Sequence, residues 1–410
     1  MSITESVFLK INPMDLLSNR VKALSESQTL AMTQKSRELN AQGINIINLS
    51  IGEPDFFVPQ HIKEAAKKAV DENYSYYPPV GGYDDLRKAI VEKFKHDNQL
   101  EYKPEQIVVS NGAKHSIVNV ILCLVNEGDE VIIPAPYWVS YVEMVRLARG
   151  KAVIINTSIE NDFKITAEQI EKAITPRTKV FMLNSPSNPT GSLYSKKELN
   201  AFAEVFARHK EIMIISDEIY EHINFVSKHE SIAQFEKIKD QVVVVNGVSK
   251  GYAMPGYRIG YMAAPVWLAK AVIKLQGQMT SGASSIAQRA TLAALMNDNS
   301  SIYAMRDIFK HRRDLILSLL KDIPDMITNT PEGAFYIFAD IKKYIGRTDG
   351  TITINNDDDL CIYLLNNAHV ALVSGSAFGA PGYLRFSYAT SDENITEAIK
   401  RIKEALRHLF

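Results

Sequence analysis

The chain has 410 residues, of which 46% are hydrophobic and 23% are charged, values typical of a folded globular protein rather than a disordered, collagen-like or fibrous one. The 46 Lys and Arg residues balance 47 Asp and Glu residues, and the resulting formal net charge of −1 argues against nucleic acid as a partner. The chain has only two cysteines, too few for a disulfide framework or a four-thiolate metal site, so we predict no bound metal and a cytoplasmic location.

The N-terminal region shows no targeting signal. The first ten residues include Glu5 and lack the basic and apolar regions of a secretory signal. The longest strongly apolar stretch, Ile117–Val125, is far shorter than the ~20 residues that a membrane span needs, and we expect no membrane partner. The segment from about Asp15 to Gln42 has helical character and lies outside the strand pattern that follows it.

From about residue 44 to residue 264, short apolar runs alternate with amphipathic stretches. We predict strands at Ile46–Leu49, Gln106–Ser110, Glu130–Ile133, Ala152–Asn156, Val180–Asn184, Ile212–Ser216 and Gln241–Asn246. Helical repeats lie between them, for example at Leu86, Ile90 and Phe94. The unbroken run Val242–Val245 is typical of a strand that is covered on both faces. The pattern predicts an α/β fold whose large domain has a mostly parallel, doubly wound sheet.

After about Asn297 the pattern changes to that of a smaller α+β domain. A long helix is predicted at Met305–Leu320, followed by strands at Ala334–Ala339, Val370–Val373 and Tyr383–Ser387 and by a last helix that begins after Ser391. We therefore expect an N-terminal segment at 1–45 that packs on the small domain, a large domain at 46–296 and the small domain at 297–410.

Lys250 is the first candidate for chemistry. It follows a predicted buried strand, and open α/β sheets bind ligands at the carboxyl ends of their strands. A buried lysine has a lowered pKa and can attack a carbonyl group, whereas the alternative is an ordinary solvated lysine at a strand end. Eight residues later Arg258 lies between Gly256 and Gly260, a setting that suits a phosphate group.

Other strand ends also carry polar or aromatic groups. Asp217 ends a predicted strand and is either a buried carboxylate that needs a cationic partner or a helix N-cap. Asn188 lies in a turn that could be purely structural, and Trp138 could stack on a flat ligand or fill the core. The turn at Gly112 opens a helix, whose free N–H groups can bind an anion.

These strand ends together suit one flat, anionic, carbonyl-bearing ligand, most simply pyridoxal 5′-phosphate. The chain resembles, over essentially its whole length, the fold-type I pyridoxal-phosphate-dependent aminotransferases of class I and II, and among them the bacterial gamma-type aspartate aminotransferases. The segments that carry the resemblance are Asn48–Asp55, Tyr76–Gly82, Pro136–Tyr141, Asn188–Gly191, Ser216–Tyr220 and Ser249–Tyr261. A chance match to all of them in order is not credible.

The resemblance implies a role for each cofactor-binding residue. Lys250 forms the Schiff base with the cofactor and, once displaced by substrate, moves the proton at the substrate Cα. Asp217 pairs with the protonated pyridine nitrogen, and Tyr220 and Asn188 bind the 3′ oxygen. The remaining cofactor contacts are the stacking of Trp138 on the ring and the binding of the phosphate by Gly112, Ala113, Arg258 and, from the neighbouring subunit, Tyr76. The resemblance therefore implies a homodimer with active sites at the subunit interface.

The resemblance also assigns the substrate site. Arg385 takes the α-carboxylate, assisted by Asn188 and the Gly52 backbone, although from the sequence alone Arg385 could equally be an edge-strand charge. Lys114 meets the side-chain carboxylate of a dicarboxylic substrate, with help from the segment near Thr29. The sequence departs from the family at Pro255 and Tyr257, where threonine and tryptophan are usual, and at Ser25, where some relatives carry lysine.

The expected function is the transfer of an amino group from an L-amino acid, most simply L-aspartate, to 2-oxoglutarate. The alternatives are an aminotransferase for aromatic, alanine, branched-chain or prephenate substrates and a β-lyase. A cofactor-sensing transcription regulator would need a DNA-binding module of about 60–100 residues ahead of the first strand, and fewer than 50 residues precede it here. A structural protein with a dead site would lack chemistry residues, and none is missing.

Overall fold

The structure is a computed structural model that describes residues 16–26, 28–226, 228–297 and 299–410. The strands of the first part of the chain are β1 (Ile47–Asn48), β2 (Ile107–Ser110), β3 (Glu130–Ala135), β4 (Lys151–Asn156), β5 (Thr178–Asn184), β6 (Met213–Asp217), β7 (Val242–Gly247) and β8 (Gly260–Ala263). Those of the last part are β9 (Ile327–Thr328), β10 (Tyr336–Asp340), β11 (Val370–Ala371), β12 (Val373–Ser374) and β13 (Tyr383–Ser387).

Helices alternate with these strands. Up to residue 173 they are α1 (Asn19–Lys22), α2 (Gln28–Ala41), α3 (Gln60–Asp71), α4 (Asp84–Lys93), α5 (Ala113–Leu124), α6 (Ser140–Leu147) and α7 (Ala167–Ala173). Beyond it they are α8 (Lys196–Phe206), α9 (Val266–Met279), α10 (Ser285–Met296), α11 (Ser300–Leu320), α12 (Asp357–Asn367) and α13 (Asp392–Leu406). A π-helix at Phe94–Asn98 continues α4, and a 3₁₀ turn at Pro255–Tyr257 precedes β8. Among the described residues, no helix is long and apolar enough to cross a membrane.

The main sheet has seven strands in the order β2-β8-β7-β6-β5-β3-β4. All its neighbouring strands are parallel except β8, which pairs antiparallel with both β2 and β7. The predicted mostly parallel sheet with covering helices is therefore confirmed. The sequence analysis did not predict β8, because glycine occupies its first position and the segment was interpreted only as part of the phosphate-binding motif.

Both faces of the main sheet are covered by apolar layers. Val242 and Val244 of β7 belong to one hydrophobic cluster, and Val243 and Val245 belong to the cluster on the other face. Side chains of a strand point alternately to its two faces, so an unbroken valine run fills both layers at once. The prediction that Val242–Val245 is covered on both faces is confirmed.

A second sheet, of four antiparallel strands in the order β12-β13-β10-β9, lies with α11, α12 and α13 around its own hydrophobic cluster. The predicted strand at Val370–Val373 is divided in two, since β11 pairs with β1 and β12 pairs with β13. Helix α2 packs on the same group of elements through Met32 and Leu39. Asp15, where the predicted N-terminal helical segment begins, lies outside the described residues.

The prediction that Ile46–Leu49 joins the main sheet is wrong. Strand β1 pairs in parallel with β11 of the C-terminal part, through Ile47 with Val370 and Asn48 with Ala371. Ile47 and Leu49 are buried in the hydrophobic cluster of the second sheet. The apolar residues of this segment therefore pack in the core of the second sheet. The first strand of the main sheet along the chain is β2.

The last helix follows the predicted pattern. Ser391 is its N-cap, and its hydroxyl accepts a hydrogen bond from the Asn394 N–H at 3.2 Å. The apolar stripe is buried against the second sheet and consists of Ile395, Ile399, Ile402 and Leu406. The cap and the 3.6-residue period of apolar residues therefore fix where this helix begins and which face it buries.

We predict that Ser391→Ala lowers the free energy of unfolding by about 1 kcal/mol, because the first turn of α13 loses its side-chain acceptor. Ser391→Asp should keep the wild-type value, since aspartate also caps a helix and its charge favours the helix N-terminus. Urea denaturation followed by circular dichroism measures both changes. Equal stability of all three proteins would contradict the capping role.

Candidate active site

A cavity of about 350 Å³ opens at the carboxyl ends of β5, β6 and β7, between the main sheet and the second sheet. Most of the residues singled out in the sequence line it: Gly52, Ala113, Lys114, Trp138, Asn188, Asp217, Tyr220, Lys250, Arg258 and Arg385. These residues come from widely separated parts of the chain, and the fold brings them together. Among the predicted residues, Gly112 and Tyr76 are not part of the cavity wall.

Lys250 projects into this cavity from the end of β7. Its ammonium group donates a hydrogen bond to the carbonyl oxygen of Gly52 and lies 5.8 Å from the ring centroid of Tyr220. Burial lowers the pKa of Lys250 from 10.5 to about 8, and the nearby cations Arg385 and Arg258 act in the same direction. A considerable fraction of the amine is therefore neutral, and able to attack a carbonyl group, slightly above neutral pH.

Asp217 ends β6 inside the cavity and is nearly fully buried. One of its carboxylate oxygens accepts a hydrogen bond from the Tyr141 hydroxyl at 2.6 Å, and the other accepts one from the Ile219 N–H at 3.3 Å. Burial raises the pKa of Asp217 to about 6, although both hydrogen bonds favour the ionised form. A cation placed beside the carboxylate would ionise it fully. The N-cap alternative is wrong, since turns and not an α-helix follow Asp217.

Tyr220 and Asn188 face the same space. The Tyr220 hydroxyl lies 2.8 Å from the hydroxyl of Tyr336, and burial raises the pKa of Tyr220 well above its usual range. The Asn188 N–H donates to the side chain of Asn184 at 2.8 Å, which fixes the loop after β5. The Asn188 side chain then points into the cavity, so the turn does more than reverse the chain.

Arg385 is 2% exposed, and its strand β13 lies inside the second sheet with neighbours on both sides. The edge-strand alternative is therefore wrong. The guanidinium donates to the Asn188 side-chain oxygen at 3.0 Å and to the Ser50 carbonyl at 2.6 Å, and it lies over the ring of Tyr336. Its Nε has no hydrogen-bond partner and no carboxylate of the described residues pairs with it. A buried cation that lacks an anion is suited to bind the carboxylate of a ligand.

The start of α5 forms an anion cradle beside Arg258. Gly112 has φ +89°, a conformation that favours glycine, and the N–H groups of Ala113 and Lys114 make no backbone hydrogen bond to any described residue. A Cβ atom on Gly260 would overlap the backbone of Ala113, so glycine is required where β8 passes this helix. This site suits a phosphate group, because the free N–H groups can donate hydrogen bonds to it. The positive end of the helix dipole and the guanidinium group of Arg258 also attract its negative charge.

Further cations line the outer part of the cavity. The ammonium group of Lys114 lies 4.8 Å from the centroid of a Trp138 ring that is only partly buried, so Trp138 forms part of the wall rather than the core. Burial and the charge of Arg258 lower the pKa of Lys114. Helix α2 supplies a third wall through Thr29 and, two turns later, Arg37. The cationic residues exceed the two acidic residues of the wall, which favours a ligand with more than one negative group.

The other predicted positions lie as follows. Tyr76 is 82% exposed and does not line the cavity of its own chain. Ser25 also lies outside the cavity, and its N–H donates to the Glu143 carboxylate at 3.0 Å. Pro255 lines the cavity, whereas Tyr257 packs partly buried against the core of the main sheet. The two departures beside Arg258 therefore differ, since only Pro255 can contact a ligand.

The sequence analysis did not assign roles to Tyr141, Tyr336 and Arg37. Tyr141 closes the motif Pro136–Tyr141, and this position was the signal that could have identified it as a partner of Asp217. Tyr336 and Arg37 carry no local signal, because only the fold brings β10 and α2 to the cavity.

Comparison with known proteins gives consistent results. The sequence profile of the family described as aminotransferase class I and II matches residues 44–402. The chain is 47% identical over 397 residues to the aspartate/prephenate aminotransferase of Nitrosomonas europaea, covering 95% of this chain and 99% of that protein. The crystal structure of the aspartate aminotransferase from Rhizobium meliloti superposes with a TM-score of 0.93 at 40% identity, over 96% of this chain and 99% of the other.

A second solved structure, the aspartate aminotransferase from Thermus thermophilus with maleate, superposes with a TM-score of 0.90 at 39% identity. It covers 95% of this chain and 99% of its own. The three named proteins match over nearly the full length of both chains, whereas the family profile begins at residue 44 and leaves out the part of the cavity wall that helix α2 supplies.

We predict that the ligand-free protein reacts covalently with pyridoxal phosphate at a rate that rises with pH and reaches half its plateau near pH 8. The reason is that only the neutral Lys250 amine attacks, and its pKa is lowered to about 8. Stopped-flow absorption over pH 6–11 measures the midpoint, and Lys250→Ala serves as the control that abolishes the signal. A midpoint near 10.5, the ordinary value for lysine, would contradict the burial of this amine.

Proposed function

The chain belongs to the class I and II aminotransferases, and we propose that it transfers the amino group of L-aspartate to 2-oxoglutarate, giving oxaloacetate and L-glutamate. The observation that carries the proposal is one cavity that holds both a lysine with a lowered pKa and a buried arginine that has no carboxylate partner among the residues that the structure describes. The names of the similar proteins, which are aspartate and aspartate/prephenate aminotransferases, support aspartate as the donor.

Pyridoxal phosphate fits the residues that are present. The cradle of Gly112, Ala113 and Arg258 suits its phosphate, Asp217 suits its ring nitrogen, and Lys250 suits its aldehyde. When bound, the cofactor supplies an electron sink that stabilises negative charge at the substrate Cα. We propose that Tyr220 and Asn188 bind its 3′ oxygen and that Trp138 stacks on its ring.

In the proposed mechanism Lys250 has two roles. Its neutral amine attaches the cofactor, and the same amine, once released by the incoming amino acid, takes the proton from the substrate Cα. A lowered pKa favours both roles, because the amine must be free of its own proton each time. Tyr141 supports the site by keeping the Asp217 carboxylate oriented through a hydrogen bond of 2.6 Å.

Two cationic positions account for a dicarboxylic substrate. We propose that Arg385 binds the α-carboxylate as a bidentate pair, assisted by Asn188 and the backbone at Gly52. The second carboxylate meets Lys114, whose ammonium group lies above Trp138 at the outer part of the cavity. A long, flexible lysine at this position gives charge recognition with little demand on geometry.

We further propose that the active unit is a homodimer in the cytoplasm. We propose that Tyr76, which is exposed and does not line the cavity of its own chain, reaches the phosphate site of a second copy. The two cysteines, Cys123 and Cys361, are free thiols, as expected for a reducing compartment.

The proposal is tested by adding single amino acids to the purified protein that carries pyridoxal phosphate. L-aspartate should rapidly convert the absorption of the bound cofactor to that of its aminated form, and 2-oxoglutarate should restore it. L-phenylalanine, L-alanine, L-valine and prephenate test the other substrate classes. A clear preference for one of these would replace aspartate in the proposal, and a protein that never binds the cofactor would refute the proposed function.

We predict that Lys250→Ala keeps the fold and binds the cofactor only noncovalently, while kcat falls by orders of magnitude. The nucleophile and the proton carrier are lost together in this variant. Lys172→Ala, which removes an exposed lysine of α7, is the control and should keep wild-type turnover. Wild-type turnover of Lys250→Ala would contradict the mechanism.

We predict that Lys114→Ala lowers kcat/KM for aspartate by about tenfold to a hundredfold and leaves the value for alanine nearly unchanged, because only aspartate has a second carboxylate. Steady-state kinetics with both donors measures the ratio. An equal loss for both amino acids would assign Lys114 to the cofactor phosphate instead.

A further inference from the structure

Behind the cavity, on the other side of the segment Asp217–Glu221, lies a group of buried charged side chains. We call it the polar network, and it consists of Lys93, Asn98, Glu218, Glu221, His222, His229 and Ser231. Asp217 and Tyr220 point into the cavity, whereas Glu218 and Glu221 point into the network. In each of the pairs Asp217–Glu218 and Tyr220–Glu221, the first residue therefore faces the cavity and the second faces the polar network.

Both carboxylate oxygens and the backbone N–H of Glu218 have hydrogen-bond partners. One of its carboxylate oxygens accepts hydrogen bonds from Ser216 at 2.8 Å and from Ser231 at 2.6 Å, and the other lies 2.9 Å from Nε2 of His229. The Glu218 N–H also donates to the Val245 carbonyl of β7 at 2.9 Å. The residue directly after Asp217 is thus held both by its backbone and by its side chain.

Glu221 is held by the end of α4. Lys93 forms a buried ion pair with one of its oxygens, and the Asn98 amide donates to the other at 2.7 Å. Lys93 also donates to the Asn98 side chain at 2.8 Å. These two residues are five apart, and the π-helix Phe94–Asn98 brings them to the same carboxylate. Such π-turns are rare in proteins and occur often at functional sites.

His222 extends the network to the lysine of the cavity. Its ring lies 3.3 Å from the Glu221 carboxylate, and it packs against Gly251, the residue after Lys250. A Cβ atom at Gly251 would come within 2.7 Å of the His222 ring, so there is no space for a side chain there. The network therefore contacts the backbone beside Lys250 as well as the segment that carries Asp217.

Both carboxylates of the network have a basic partner within the protein, Lys93 for Glu221 and His229 for Glu218. Ligand atoms of Glu218, Glu221 and His229 lie within 4.8 Å of one another, and one of these carboxylates, that of Glu221, already forms an ion pair with Lys93. Although burial acts to raise the pKa of Glu221, the charges of Lys93 and of the two histidines lower it to about 2. Buried charges of this kind are costly and do not by themselves increase stability, which leaves a positional role to explain them.

We propose that the polar network positions the transamination site by fixing the backbone that carries Asp217, Tyr220 and Lys250. The inference rests on the proposed function. It makes Lys93, Glu218 and Glu221 positioning residues, since none of them lines the cavity. Their loss should move the cofactor-binding groups without removing any of them.

The test compares Glu221→Gln with Glu130→Gln. Glu130 is the matched control, because it is also a buried carboxylate that pairs with cations, Lys151 and Arg177. It lies at the amino end of β3, whereas the cavity opens at the carboxyl ends of the strands. Four quantities are measured for the wild type and both variants: the Kd for pyridoxal phosphate, the pH midpoint of the absorption of the bound cofactor, kcat with aspartate, and Tm.

We expect both variants to have a lower Tm. Only Glu221→Gln should raise the Kd and lower kcat by about tenfold or more and move the absorption midpoint, because small displacements in an active site are costly. If both variants lose Tm and keep the wild-type Kd, kcat and midpoint, the network is only structural and the inference is wrong. Should Glu221→Gln fail to fold, Ser231→Ala, which removes one hydrogen bond from Glu218, gives the same comparison.

The wild type separates this inference from the proposed function. A wild-type protein that binds no pyridoxal phosphate refutes both. A wild type that binds it and prefers another amino acid changes the substrate, and the Kd and the absorption midpoint of Glu221→Gln then still decide the inference.

Discussion

The site depends on the hydrogen bonds that the buried guanidinium group of Arg385 makes. This group joins the second sheet to the loop after β5, through Asn188, and to the segment after β1, through Ser50. A charge removed from water without an anionic partner is unfavourable, and within the described part of the chain only dipoles and aromatic rings compensate it. Under the proposed function the α-carboxylate of the substrate supplies this anion, so the group that links the second sheet to the loop after β5 also binds the ligand. Arg385 lies in the cavity between the main sheet and the second sheet, where both parts of the fold meet.

The segment after β6 separates two kinds of electrostatic environment. On the cavity side, burial brings the pKa of Asp217 and that of Lys250 to about 6 and about 8, close to the range in which proton transfer is efficient. On the other side, Glu221 is held firmly ionised by Lys93. Groups whose pKa lies nearer to neutrality thus face the cavity, and a carboxylate that keeps its charge faces the core. Because neighbouring side chains after β6 point to opposite sides, a short segment separates the cavity from the polar network.

Much of this fold could be predicted from the sequence, since valine runs, helical repeats and the Ser391 cap act locally. The strand ends were also informative, because the parallel sheet must bring them to one edge. Contacts between distant segments could not be predicted: β1 was assigned to the wrong sheet, and β8 was overlooked. The same holds for the site, where Lys250 and Asp217 follow recognisable strands, whereas the pairing of Tyr220 with Tyr336 exists only once β10 is in place. Local patterns thus predict elements, and packing decides their partners.

The position of β8 also bears on how the molecule forms during synthesis. Strand β2 finds its partner only when the chain has been made as far as Gly260, which pairs with Ser110. Until then β2 has no hydrogen-bonded neighbour in the main sheet, and the α5 cradle has no β8 to pack on. Arg385 leaves the ribosome later still. Contacts of such long sequence separation form slowly, so the emerging chain passes through a stage in which the central strands are made but the catalytic centre is not, and a truncated product would expose an unpaired strand to aggregation.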